Sequence, residues 1–382
     1  MKYIVAPDKF KGSLSGIEFC NAVEEGILLA DSNAEIVKVP LADGGDGTMD
    51  ALLHAMNGKK ITTQVHNPVF ELIEASYLWV PHQKLAVIEM AQASGLSLLA
   101  PQDRNCRQTS SIGTGELILH ALHKGATSIV LAIGGSATND GGIGMAHALG
   151  YEFIDKNGSV LKPIGDNLEL VDEVKTNNVV DMLNQVQFQV ACDVKNLLYG
   201  VHGAAYVYGA QKGASPSEIE KLDVGMQNFA EVLKKQFGVD CQKVEGAGAA
   251  GGMGAGAMVF LGADLISGID LVKNITQFDK QIQQADWIIT GEGRLDSQTL
   301  SGKTIQGVLA SAKLQNKPVA AFCGNVSLSA KEQKELGIHF ASAVAKGPCT
   351  LQEAMEQAYN HVKSTAFNFA NLIQRNVVDF VS

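Results

Sequence analysis

No two of the six cysteines are spaced as CxxC; Cys20, Cys106, Cys192, Cys241, Cys323 and Cys349 are scattered along the chain. That argues against a zinc ribbon or a disulfide framework, and the thiols read as the reduced ones of a cytoplasmic protein. Basic residues are short, 30 Lys and Arg against 40 Asp and Glu, for a net charge of -10. Nucleic acid and anionic membrane both need clustered cations, so neither is expected as a partner. A long apolar run is missing as well. The longest uncharged stretch, Gly246 to Ala263, contains seven glycines and is rejected as a membrane span. The opening MKYIVAPDKF reaches a charged loop after a few apolar residues, unlike a signal peptide.

What is present is core-forming residue in quantity. Of 382 residues 46% are hydrophobic and 18% charged, which predicts two or three domains with large interiors. Many short apolar runs fit parallel strands buried on both faces. The densest signal is SIVLAIGGSATNDGGIGMAHALG, Ser128 to Gly150, which reads as strand, tight turn and helix. Gly134, Gly135, Gly141, Gly142 and Gly144 can bare backbone N–H groups, while Ser136, Thr138, Asn139 and Asp140 add hydroxyls, an amide and a carboxylate. Such a set suits a polyphosphate with its metal: amides, hydroxyls and a helix N-terminus for the anion, an acid for Mg²⁺. A structural turn capped by Asn139 or Asp140 would use the same residues, and composition leaves both readings open.

The same arrangement recurs along the chain. A first strand ends at Ala6 and is followed by Asp8, Lys9, Lys11 and Ser13; a second, Glu35 to Pro40, is followed by Asp43 and Asp46 in LADGGDGT. Carboxyl ends of strands are where open α/β sheets bind ligands. From Thr62 the alternation changes to antiparallel hairpin texture, and His120 and His123 lack the partners of a metal site. A buried strand, Gln187 to Ala191, ends at Asp193, a candidate metal ligand or base. Near the end a strand closing at Thr290 precedes Glu292, Arg294 and Asp296, and later strands alternate with helices. The architecture expected is α/β: a parallel-sheet domain from both chain ends, 1–61 and 265–382, with a mixed α/β domain, 62–264, inserted.

Two motifs mislead. Gly246 to Gly251 matches GxGxxG, but Asp240 to Glu245 is too polar for the strand a dinucleotide fold requires. Ser301-Gly302-Lys303-Thr304 resembles the tail of a Walker A loop, yet Ser297 stands where its first glycine belongs. A P-loop is not expected, although Lys303 can still reach a phosphate.

Six stretches together resemble the bacterial glycerate kinase family, the type without a P-loop: APDKFKGSL, ADGGDGT, IEMAQASGL, IGGSATNDGG, GAGAAGGMGAG and TGEGRLDSQTLSGK. They follow the family order over essentially the whole chain; a departure is Leu197 after Asn196, where members commonly carry proline. The resemblance implies a flavodoxin-like domain beside a second α/β domain. It also implies phosphorylation of D-glycerate by ATP and Mg²⁺, giving 2- or 3-phosphoglycerate by in-line transfer in an interdomain cleft. From loop position and residue type, Gly134, Gly135, Ser136, Thr138, Asn139 and Lys303 are expected at the nucleotide, and Asp140 and Asp193 at Mg²⁺. Lys9, Lys11 and Arg294 are expected at the acceptor carboxylate, Asp296 (or Asp43) as base, and Asp8, Ser13, Asp43, Asp46 and Glu292 around the substrate. A nicotinamide-dependent oxidoreductase and a catalytically silent nucleotide-binding regulator are the competing classes. Oligomeric state is left open.

Overall fold

The computed structural model describes residues 1–10, 12–42, 48–296 and 303–378. In chain order its strands are β1 (Lys2–Val5), β2 (Glu35–Lys38), β3 (Lys59–His66), β4 (Leu72–Val80), β5 (Leu85–Glu89), β6 (Ser128–Ala132), β7 (Glu152–Ile154) and β8 (Glu173–Lys175). They continue with β9 (Gln187–Ala191), β10 (Asp264–Ile266), β11 (Trp287–Thr290), β12 (Arg294–Leu295), β13 (Val319–Cys323), β14 (Asn325–Val326) and β15 (Ile338–Ala343). Two compact units hold them. One contains Ile269–Ser382 with most of the first 56 residues, the other Asn57–Gly268.

The first unit is built on an all-parallel sheet in the order β15-β13-β11-β1-β2. Its central strands are apolar on both faces, β13 (VAAFC) being buried throughout, because helices cover each side. Counted in order of appearance within the unit, the strands run 2-1-3-4-5, the flavodoxin-like arrangement. The strand order reverses between β1 and β11, so the loops after Val5 and Thr290 leave the switch point of the sheet. One covering helix, Gly16–Ala30, starts at Ser15, whose side chain and that of Glu18 form a capping box. Its apolar residues Phe19, Cys20, Val23 and Ile27 recur at helical spacing and join a core with Tyr3, Phe322 and Phe369.

The second unit carries a six-stranded mixed sheet, β10-β9-β6-β5-β4-β3. β5, β6, β9 and β10 are parallel, while β4 and β3 are antiparallel as their alternating sequence predicts. β3 begins at Lys59, ahead of Thr62 where the change of texture was expected. Two small ribbons, β7 with β8 and β12 with β14, complete the strand pairing. A long helix, Pro216–Phe237, begins in a second capping box, Ser215 with Glu218, and ends at Gly238 in the left-handed conformation. Among the described residues no helix is long and apolar enough to cross a membrane. No disulfide joins the cysteines among the described residues.

Candidate functional site

In the second unit the parallel register aligns Glu89 with Ala132, Ala132 with Ala191, and Ala191 with Ile266. Four strands therefore end in one row, and the segments after Glu89, Ala132, Ala191 and Ile266 leave the same edge. The loop after β6 has an exposed tip, Gly134-Gly135, and a buried base, Ser136 to Asp140. Gly135 sits at φ +73°, a conformation glycine adopts without strain. Backbone bonds fasten the loop to its neighbours: Leu96 N–H to Gly135 O at 2.8 Å, Ala137 N–H to Ser94 O at 2.9 Å and Gly141 N–H to Gly251 O at 2.9 Å.

Asp140 was expected at Mg²⁺; here its carboxylate is engaged inside the protein. The carboxylate is fully buried and accepts from Ser111 N and Ser111 Oγ, both at 2.7 Å, from Gly142 N at 3.2 Å and from Gly144 N at 3.3 Å. Burial pushes its pKa up and these four donors pull it back. These four donors commit the carboxylate to organising the turn. The helix that follows is also not open to an anion. It spans only Ile143–Ala148, and Asp140 and Ser111 take the N–H groups of Gly144 and Met145 at its start. The exposed polar groups of the loop are thereby those of the Gly134–Gly135 tip.

Lys212, given no role from sequence, lies under that tip. It is 3% exposed and donates from Nζ to Ser136 Oγ and to Thr138 O, each at 2.7 Å. Burial lowers its pKa to about 8, with Cys106 and Asp140 opposing the shift. Deeper in the loop, Thr138 Oγ1 and both amide atoms of Asn139 are buried without a hydrogen-bond partner among the described residues. A lysine within the otherwise uncharged run Tyr208-Gly209-Ala210-Gln211-Lys212-Gly213-Ala214 is the sequence signal that could have found it.

Asp193 follows β9 on the same edge, half-buried, with Oδ1 accepting from Gly268 N at 3.0 Å. Glu89, also unassigned from sequence, is 6% exposed and accepts from Met49 N at 2.8 Å, which ties it to the start of the helix Thr48–Ala55. The glycine-rich run serves packing. Gly246 to Gly248 follow a short turn, Cys241–Lys243, and not a strand, and the helix Ala249–Leu261 presses its glycines on the Thr138–Gly142 loop. A Cβ on Gly251, which has φ +72°, would meet Thr138 O and come within 2.7 Å of Asn139 Cα. Gly251→Ala is expected to destabilise this unit by about 1–3 kcal/mol, read as a lowered melting temperature; an unchanged one would mean the approach is not tight.

In the first unit the switch-point loops carry a second cluster. Asp8 N–H donates to Gly291 O at 2.9 Å, and Thr290 Oγ1 to Ala6 O at 2.8 Å, so the loops after β1 and β11 are stitched together. Asp8 accepts from Lys9 N and from Thr304 Oγ1, both at 2.7 Å. Glu292 and Asp296 are half-buried there, and Arg294 Nε lies 3.0 Å from Asp296 Oδ2, the arginine 68% exposed and the aspartate 17%. The residues expected to grip a carboxylate and to act as base thus pair with each other. The Ser13 hydroxyl donates to Met355 O at 2.8 Å, which anchors its loop to a helix. Lys11, Asp43 and Asp46 lie outside the described residues, as do Ser301 and Gly302; Lys303 starts the helix Lys303–Leu314, and its side chain is not among those described.

A flavodoxin-like sheet with acids at its switch point, and a glycine-tipped loop backed by a buried ammonium, are the features of an α/β enzyme for anionic ligands. Comparison with known proteins makes the class specific. The model of the Glycerate kinase family matches residues 3–374. A Bacillus cereus protein named glycerate kinase is 44% identical over 97% of both chains, and an Escherichia coli protein named glycerate 2-kinase is 42% identical over 97% of both. A crystal structure from Salmonella typhimurium LT2, described as a candidate glycerate kinase 2, superposes with a TM-score of 0.91 at 40% identity over 98% of this chain and 99% of that one. The chain belongs to the glycerate kinase family, and it is an enzyme of the kinase class.

Proposed function

We propose that this enzyme phosphorylates D-glycerate at its 2-hydroxyl, with ATP and Mg²⁺ as co-substrate and metal. The observation that carries the reading is the nearly end-to-end likeness to proteins named for glycerate phosphorylation, one of them named for the 2-position. The geometry supports it independently. Phosphoryl transfer asks a protein chiefly to hold anions and stabilise developing charge, and the two clusters offer amides, hydroxyls, cations and acids at strand ends. Free thiols and an acidic surface support a cytoplasmic address without nucleic acid or membrane as partner.

ATP supplies the phosphoryl group. The Gly134 and Gly135 amides and the Ser136 hydroxyl donate to its phosphate oxygens, and the orphaned Thr138 Oγ1 and Asn139 amide mark unused polar capacity in the same loop. Mg²⁺ binds through one or two carboxylates, keeps several waters and shares phosphate oxygens. Half-buried Asp193 fits that need, and no group of three or more His, Cys, Asp or Glu able to hold a metal exists among the described residues. Mg²⁺ there would neutralise phosphate charge. At the other cluster Arg294 binds the glycerate carboxylate through its planar fork and Asp296 accepts the hydroxyl proton. Asp8, Lys9 and Glu292 line the acceptor's surroundings at the switch point.

Arg294→Ala is expected to raise the KM for D-glycerate about tenfold or more and to leave that for ATP nearly unchanged, because it removes ground-state binding to one substrate. An equal rise in both would remove Arg294 from the acceptor site. The reading itself is tested by ³¹P NMR of a mixture of enzyme, MgATP and D-glycerate. A 2-phosphoglycerate resonance is expected. A 3-phosphoglycerate resonance would overturn the position, and no phosphorylated acid would overturn the function.

A further inference from the structure

We propose that Lys212 is the positioning cation of the nucleotide loop: its buried ammonium holds Ser136 so that the hydroxyl proton points outward, and sets a positive charge beneath the docking phosphate. The inference rests on the phosphotransfer reading above and names the residue that gives the loop its charge.

Three observations carry it. First, the ammonium donates to Ser136 Oγ at 2.7 Å, so the hydroxyl accepts from inside the protein and keeps its own proton for an acceptor outside. Ser136 adjoins the exposed Gly134-Gly135 tip, where N–H groups can meet the same anion. Second, both acceptors of Lys212, Ser136 Oγ and Thr138 O, are neutral oxygens. A buried ammonium facing neutral acceptors is costly, and an arriving anion offsets that cost. Third, the loop's interior keeps Thr138 Oγ1 and the Asn139 amide without a hydrogen-bond partner among the described residues, polar capacity that those residues leave unused.

The groups around the lysine fix the sign of a pH effect. Asp140, from the loop after β6, and Cys106, whose N–H donates to Lys212 O at 3.1 Å, both favour the charged ammonium, whereas burial opposes it and prevails, at about 8. Arg104 packs its backbone against Gly213 on the same side. As pH rises through about 8 the free enzyme loses the ammonium, and kcat/KM for ATP should fall. The profile for D-glycerate at saturating ATP should lack that limb.

The test pairs calorimetric titration of MgATP with steady-state kinetics in D-glycerate, on wild type, Lys212→Met, Lys212→Arg, Ser136→Ala and the Lys212→Met/Ser136→Ala double variant. Lys212→Met should weaken MgATP about tenfold or more, as loss of a charge-assisted contact does, with KM for D-glycerate within about twofold. Ser136→Ala should weaken ATP too, and the double variant should be little worse than Lys212→Met, because one residue acts through the other. Lys212→Arg should restore part of the affinity and abolish the limb near pH 8. Unchanged MgATP affinity in folded Lys212→Met, or equal losses for both substrates, would overturn the proposal in favour of a structural pin. Should Lys212→Met fail to fold, Ser136→Ala and the wild-type profile decide it: wild-type ATP affinity in the first, or a flat profile in the second, overturns it. A wild type that binds MgATP but releases no ADP with D-glycerate would instead refute the phosphotransfer reading, and calorimetry would still judge Lys212.

Discussion

Asp140→Ala is expected to cost the second unit about 3 kcal/mol or more, lowering its thermal midpoint by roughly 6–12 °C. The substitution removes the acceptor of four hydrogen bonds and leaves Ser111, Gly142 and Gly144 donors buried without a partner. Each such donor costs about 1–3 kcal/mol, and relaxation of a glycine-rich turn recovers part of the sum. Calorimetric unfolding checks the magnitude. A variant that melts like wild type but needs more Mg²⁺ for half-maximal activity would favour a metal-ligand role for Asp140 over the structural one.

Asp296→Asn is expected to lower kcat by about a hundredfold or more while leaving stability within about 0.5 kcal/mol. The amide keeps the shape of the side chain and can still accept from Arg294 Nε, 3.0 Å away in the ion pair, but it cannot take a proton from a hydroxyl. Arg294→Ala acts chiefly on KM, so the two effects separate in kinetics although the residues touch. Near wild-type turnover by folded Asp296→Asn would exclude it as the base.

Much of the architecture was legible because parallel sheets write themselves as short apolar runs. Gln187–Ala191 is a strand with the bounds its pattern predicts, and the return of alternating strands and helices after Ala285 revealed one unit built from both chain ends. Loops after strands were legible for the same reason, since a strand's end fixes where its loop begins. The fate of individual side chains was not. Asp140 has the composition of a metal ligand until Ser111, 29 residues earlier, is seen to occupy it. Lys212 has no assignable role until Ser136, 76 residues away, is found at its ammonium. Ser13 spends its hydroxyl on Met355, 342 residues further on. Such pairings arise from tertiary packing, which periodicity does not encode. The GxGxxG run imitates a dinucleotide fingerprint because close approach to a neighbouring backbone selects the same glycines as a pyrophosphate does.

The central claim is the proposed reaction, transfer of a phosphoryl group from MgATP to D-glycerate. Its most direct test is the initial rate of ADP release by the purified chain as D-glycerate is varied at saturating MgATP. A rate that saturates with D-glycerate and vanishes when either D-glycerate or Mg²⁺ is withheld is the predicted result. ADP release indifferent to D-glycerate, or none at all, would contradict it.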